Sequence, residues 1–112
     1  MSEENIKYLN DVLKAIARID EYIGSPKKLD KYISNFMLKH AVERNLEIIG
    51  EALNKVIKSE SSLTISNSRK IIDTRNRIIH GYDEVEDIIV WSIIIKHLPI
   101  LKLEIKDILA KK

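Results

Sequence analysis

The sequence predicts an all-α protein, a dimeric bundle of roughly four to five helices. Three observations carry that prediction. Apolar residues recur at helical spacing through most of the chain. Turn-formers are scarce, with 3 Gly and 2 Pro, too few for the many connections of an all-β fold. The last third is apolar on nearly every side, more than one small monomer readily buries, which points to a second subunit.

The first predicted helix runs from Glu3 to Ile23, with Ile6, Leu9, Leu13, Ile16 and Ile23 as its apolar stripe. Gly24-Ser25-Pro26 stops it. The second is expected from Asp30, a good N-cap residue, to Lys58, with Leu38, Val42, Leu46, Ile49, Leu53 and Val56 as its stripe. A second file on that helix, His40, Arg44, Glu47 and Glu51, mixes both charge signs. It reads either as a solvated face laced by local ion pairs or as the source of a carboxylate for Arg75. Gly50, inside the helix, either marks a close helix crossing or is simply tolerated at a cost of about 1 kcal/mol. Ser59 to Ser68 reads as a loop, and a third helix from Asn67 or Ser68 to His80 ends at Gly81. Asp83-Glu84-Val85-Glu86-Asp87 then opens a fourth helix, acids where its dipole favours them. Pro99 forces a kink or a new start before Ile100 to Leu109.

Composition narrows the function classes. A chain of 112 residues suits one domain, spanning 1–112. No cysteine is present, so disulfide frameworks and thiolate zinc sites are excluded, and a reducing cytoplasm fits. No apolar run approaches the roughly 20 residues of a membrane span, and the N-terminus lacks a signal-peptide pattern. A net charge of +2 is compatible with nucleic-acid binding without announcing it. No His/Asp/Glu spacing argues for a metal, and no glycine-rich phosphate loop argues for a nucleotide cofactor, so neither is expected. His40 and His97 stand alone and read as surface or boundary residues.

The chemistry concentrates in Asp73-Thr-Arg-Asn-Arg-Ile-Ile-His-Gly-Tyr82. On a helix, the surface neighbours of Arg75 are Ile71, Ile72, Ile78 and Ile79. A guanidinium centred on isoleucines needs a partner from elsewhere, because an unpaired buried charge is costly. His80, Gly81 and Tyr82 follow at the helix end. Residues five apart differ by about 140° in direction, so Arg75 and His80 meet on one substrate only if the helix ends at His80 or the site straddles a dimer axis. Asn76 shares a face with His80, and so does Arg77, which also sits four after Asp73 and reads most simply as half of an ion pair. Arg clamps phosphate through paired hydrogen bonds, and His is the usual general acid or base near neutrality. Asn76 can orient an imidazole or hold a phosphate oxygen, and Tyr82 can stack on a base, bond a phosphate or offer a phenol for modification. Together they suit metal-independent RNA cleavage, in which the 2′-hydroxyl attacks the neighbouring phosphate. They equally suit a non-catalytic chain that binds nucleotide.

Arg75-Asn-Arg-Ile-Ile-His80-Gly-Tyr82 resembles the Arg-x4-His-x-Tyr signature of HEPN-domain proteins, most closely the HepT-like toxin branch. Arg44-Asn-Leu-Glu-Ile-Ile-Gly-Glu-Ala52 resembles that family's second-helix segment, and Trp91 with Leu98-Pro99 and Leu101 its last helix. The resemblance implies a HEPN-type helical dimer with a composite cleft. It implies a metal-independent endoribonuclease that is the toxin of a toxin–antitoxin pair. Arg75 and His80 match the catalytic positions and Asn76 the polar residue after the arginine. Tyr82 matches the tyrosine to which a cognate minimal nucleotidyltransferase antitoxin adds AMP. The alternative within the same resemblance is a non-catalytic partner that scaffolds the nucleotidyltransferase.

Overall fold

The computed structural model describes residues 1–80 and 86–111. The described residues are all-α, with no strand among them, as a HEPN-type bundle requires. The helices are α1 (Glu3–Ile23), α2 (Leu29–Ile33), α3 (Phe36–Ser59), α4 (Ser68–His80), α5 (Asp87–Ser92) and α6 (Leu98–Ala110), with a π-helical turn, Ile93–His97, joining the last two.

Helix α1 starts where Ser2 accepts a bond from the amide of Asn5 and stops at Gly24, whose φ of +71° suits glycine. Its buried face is Leu9, Val12, Ala15, Ile16 and Ile19. Ile6 and Leu13, which the spacing placed on the stripe, lie at its half-buried margin. The stripe of α3 is as expected from Val42 onward, with Val42, Leu46, Ile49, Leu53 and Val56 all buried and Leu38 at the edge.

The second predicted helix is broken in two. Asp30 does not cap it, since Lys28 stands at the N-cap of α2 and Asp30 lies in the first turn, bonded to the amide of Lys31. The chain then leaves helical geometry, and Asn35 restarts it by accepting a 3.1 Å bond from the Leu38 amide. A short polar side chain that competes for backbone donors is the physical reason for the break. The fourth predicted helix begins later than expected, at Asp87 with Glu86 as N-cap, and Asp83, Glu84 and Val85 lie outside the described residues.

At Pro99 the chain neither stops nor restarts. The proline lacks an N–H for the Ile95 carbonyl, and its ring would press on that carbonyl in a regular helix. The preceding turn widens instead, and the amide of Leu98 reaches back to the Ile93 oxygen while φ and ψ stay helical. Val90, Ile93, Ile94, Leu98, Leu101 and Ile105 are buried along this rod, whereas Ile88, Ile100 and Leu103 are exposed.

Helix α3 is central, with α1 packed along one side and α4 across another, and α6 closing against α1. The Cα envelope measures 41 × 32 × 18 Å. A Cα thickness of 18 Å holds about two layers of helices, whose axes pack roughly 8–10 Å apart, so few helices are covered on all sides. Among the described residues, no helix is long and apolar enough to cross a membrane.

Candidate functional site

The site begins at the crossing of α3 and α4. A methyl group built on Gly50 would overlap the Cβ of Arg75 and stand 2.8 Å from its Cγ. It would also lie 3.5 Å from the carbonyl oxygen of Ile71. Gly50 is therefore the close crossing, and the stem of Arg75 occupies the space a side chain would fill. Ile71 and Ile72 are buried beside it, Ile78 is half-buried, and Ile79 remains 44% exposed, so the isoleucine patch is only partly covered within one chain.

Arg75 itself is half-buried. Its Nη1 donates a 3.0 Å bond to Oδ1 of Asn76, and its buried Nε has no acceptor among the described residues. Of the two readings of the α3 file, the one that sends a carboxylate to Arg75 fails. Glu47 pairs with Arg44 at 3.0 Å, and Glu51 faces Lys55 at 3.5 Å. The mixed file of α3 is thus a solvated face with local pairs, because an i,i+3 or i,i+4 partner is reached without crossing to another helix. Among the described residues, no carboxylate forms an ion pair with Arg75.

His80 is the last residue of α4 and is exposed. Helix geometry turns it about 140° away from Arg75. Arg75 and Asn76 are thus brought together, while Arg75 and His80 leave α4 in different directions. Asn76 is half-buried and holds the guanidinium rather than the imidazole. Tyr82 and Gly81 lie outside the described residues. The expected Asp73–Arg77 ion pair is absent among the described residues, although both side chains are exposed on the outer face of α4. Exposed i,i+4 pairs contribute only about 0.3–0.5 kcal/mol, too little to hold two flexible side chains in one geometry.

A second polar cluster lies under α5 and escaped the sequence reading. The Tyr32 ring is buried 5.7 Å from that of Trp91, and its hydroxyl has no partner. Burial, with Glu43 and Asp87 nearby, pushes the phenol far above its usual range. Burial also raises the Glu43 carboxyl, while His40 and Lys39 pull it back. Lys39 and Asp87 form a partly buried ion pair at 3.0 Å. Those two residues are 48 apart in sequence, and no local spacing signals such a pair. The Lys39–Asp87 pair ties α5 to α3.

Comparison with known proteins places the chain in a family. Residues 12–108 match the family described as ribonuclease HepT-like. A protein of Methanocaldococcus jannaschii named "Putative RNase" is 32% identical over 95% of this chain and 98% of its own length. Another of that name, from Caldanaerobacter subterraneus, is 32% identical over 94% of each chain. A "Probable ribonuclease HepT" of Thermococcus cleftensis is 28% identical, covering 91% of this chain and 93% of its own. No solved structure matches significantly. The chain belongs to the HepT-like ribonuclease family.

Proposed function

We propose that this protein is a metal-independent endoribonuclease, the toxin of a toxin–antitoxin pair, working as a cytoplasmic homodimer. The observation that carries the proposal is the uncompensated guanidinium of Arg75, seated on Gly50 and steadied by Asn76. A helix crossing gains nothing in stability from a half-buried charge without a carboxylate. A phosphodiester supplies the missing anion, and the planar guanidinium suits its oxygens.

In the proposed reaction the 2′-oxygen of RNA bonds to the adjacent phosphorus and the bond to the 5′-oxygen breaks. A proton leaves the 2′-hydroxyl and one reaches the departing 5′-oxygen; His80 carries one of these transfers and solvent water carries the other. Arg75 stabilises the charge gathering on the phosphorane oxygens. Arg75 and His80 diverge along α4, but α4 ends at His80, so the two would meet either at that helix end or, as the resemblance implies, in the composite cleft of a two-fold dimer. Exposed Ile79, Ile88, Ile100 and Leu103 supply apolar surface for such an interface. A monomeric mass in solution at micromolar concentration would remove that part of the proposal.

Tyr82 is assigned as the residue to which a cognate minimal nucleotidyltransferase adds AMP. An attached phosphodiester would occupy the basic site in place of RNA, at high effective concentration. Mass spectrometry after co-expression should find AMP on Tyr82, and Tyr82→Phe should keep toxicity while escaping neutralisation. AMP on another residue contradicts the assignment.

The nuclease proposal is tested by incubating the protein with RNA in EDTA. Cleavage should proceed on a 2′-hydroxyl strand, leave 2′,3′-cyclic phosphate and 5′-hydroxyl ends, and fail on the 2′-deoxy strand. Activity that EDTA abolishes and magnesium restores refutes the mechanism. RNA binding without cleavage would favour the other reading, a non-catalytic partner of the nucleotidyltransferase.

A further inference from the structure

Opposite the isoleucines, the outer face of α4 borders an open groove of about 470 Å³ against α5. Asn67, Arg69, Lys70, Asp73, Thr74, Arg77 and Ile89 line it. Three of these seven side chains are cations and one is an anion. Arg69, Lys70 and Arg77 are exposed and form no ion pair among the described residues. Surface cations are commonly unpaired, so what marks this groove is the gathering of three of them around one carboxylate. In the groove the one carboxylate, Asp73, is shared by three cations and closes a contact with none.

The positions form a file. Arg69, Asp73, Arg77 and His80 are spaced four, four and three along α4, so they stack on one face. At 1.5 Å per residue, the file from Arg69 to His80 is about 16 Å long. Ile89 gives the opposite wall an apolar surface on which a ribose or base can lie.

Beyond α4, Lys96 and His97 border the same region. His97, on the π turn, has both ring nitrogens buried with no hydrogen-bond partner. Burial, and then Lys70 and Lys96, hold its pKa below the usual value. Lys96 is exposed and also forms no ion pair among the described residues. The cationic character of the groove therefore continues onto the π turn, and the imidazole there adds no charge of its own.

We infer that the groove between α4 and α5 is the track for single-stranded RNA, with Arg69, Lys70 and Arg77 holding the backbone phosphates that flank the strand at His80. The inference rests on the nuclease reading of His80 for its direction. A single strand fits because its backbone bends along a short cationic file while its bases stay free to meet Ile89. An acidic protein segment is the competing occupant, and it would leave RNA affinity untouched.

The test measures binding of a fluorescent, 2′-O-methyl single strand, which cannot be cleaved by 2′-hydroxyl attack, across a salt series. Each phosphate contact adds about 0.7 to the slope of log affinity against log salt for a single strand. Lys70→Gln/Arg77→Gln should lower affinity by about tenfold or more at low salt and flatten the slope by about 1.4. On the matching 2′-hydroxyl strand it should raise KM and spare kcat. Asp73→Asn, which removes the groove's anion, should tighten binding, an outcome that misfolding cannot mimic. Unchanged affinity and slope in the double variant overturn the inference, even if the protein cleaves RNA. A wild-type chain that binds the strand through Lys70 and Arg77 yet cleaves nothing upholds the groove and removes the nuclease reading. No binding by the wild type at any salt overturns the groove.

Discussion

Helix α3 meets α1 and α4 in opposite ways. Along α1 the contact is apolar and closed, with Leu9, Val12 and Ile16 on one helix and Leu46, Ile49 and Leu53 on the other shut off from solvent. At α4 the contact narrows until only a glycine fits, and a charged stem lies in the space. The first contact is built to bury area, about 25 cal/mol per Å² of apolar surface removed from water. The second gives up side-chain packing at one position and retains a charge with no carboxylate. On the proposed function, stability resides in the first and activity in the second, and variants can separate the two.

The largest effect is expected on catalysis. His80→Ala should lower the RNA cleavage rate by about 10²–10⁴-fold, the usual contribution of a positioned general acid or base. Single-turnover cleavage at saturating RNA measures it. A loss under about twofold would remove His80 from the reaction. In the apolar seam, Leu53→Ala should cost about 2–5 kcal/mol of folding stability through the cavity it leaves. Denaturant unfolding reads that loss, and cleavage per folded molecule should not change.

Gly50→Ala probes the crossing. The added methyl improves helix propensity by about 1 kcal/mol, but overpacking costs about 1–3 kcal/mol. The net change in unfolding free energy should be zero to moderately destabilising, with cleavage falling more than stability because Arg75 is displaced. The overlap begins at the Cβ of residue 75, so adding Arg75→Ala should not restore stability. A double variant as stable as the wild type would show that the crossing is not where the strain falls.

The smallest effect concerns pH. His97 has its pKa lowered from 6.5, chiefly by burial and then by Lys70 and Lys96. The unfolded chain therefore takes up a proton first as pH falls. The contribution of His97 to stability is fully present above 6.5 and is lost as pH falls through its lower folded value. Thermal unfolding should show His97→Leu declining less steeply than the wild type below that point. Parallel curves would indicate that the ring is solvated in both states.

The same contrast explains what was legible in the sequence. The apolar seam follows from periodicity, so α1 and the long part of α3 were readable to within a turn, as was α4. The break before α3 was missed because Asp30 looked like the cap, while Ser34-Asn35, a pair that favours caps, lay unread in what looked like helix interior. The crossing announced itself only through two oddities, a glycine inside a helix and an arginine among isoleucines. Joining them requires knowing that residues 50 and 75 touch, which no local spacing reveals. The π turn before Pro99 and the Lys39–Asp87 pair are likewise consequences of tertiary packing. The groove of Arg69, Lys70 and Arg77 went unread, since Arg77 looked like half of a pair with Asp73 and the opposite wall comes from α5.

Arg75→Gln is the most direct test of whether function and stability divide as described. The substitution keeps the stem over Gly50 and removes the charge. Thermal unfolding and RNA cleavage should be measured on the same preparation. The unfolding midpoint should stay level or rise, because a half-buried charge without a carboxylate is gone. Cleavage should fall by about 10²–10³-fold, as when one donor to a developing oxyanion is lost. A variant that still cleaves RNA at the wild-type rate, or that unfolds well below the wild type, would make Arg75 a structural residue and contradict the account.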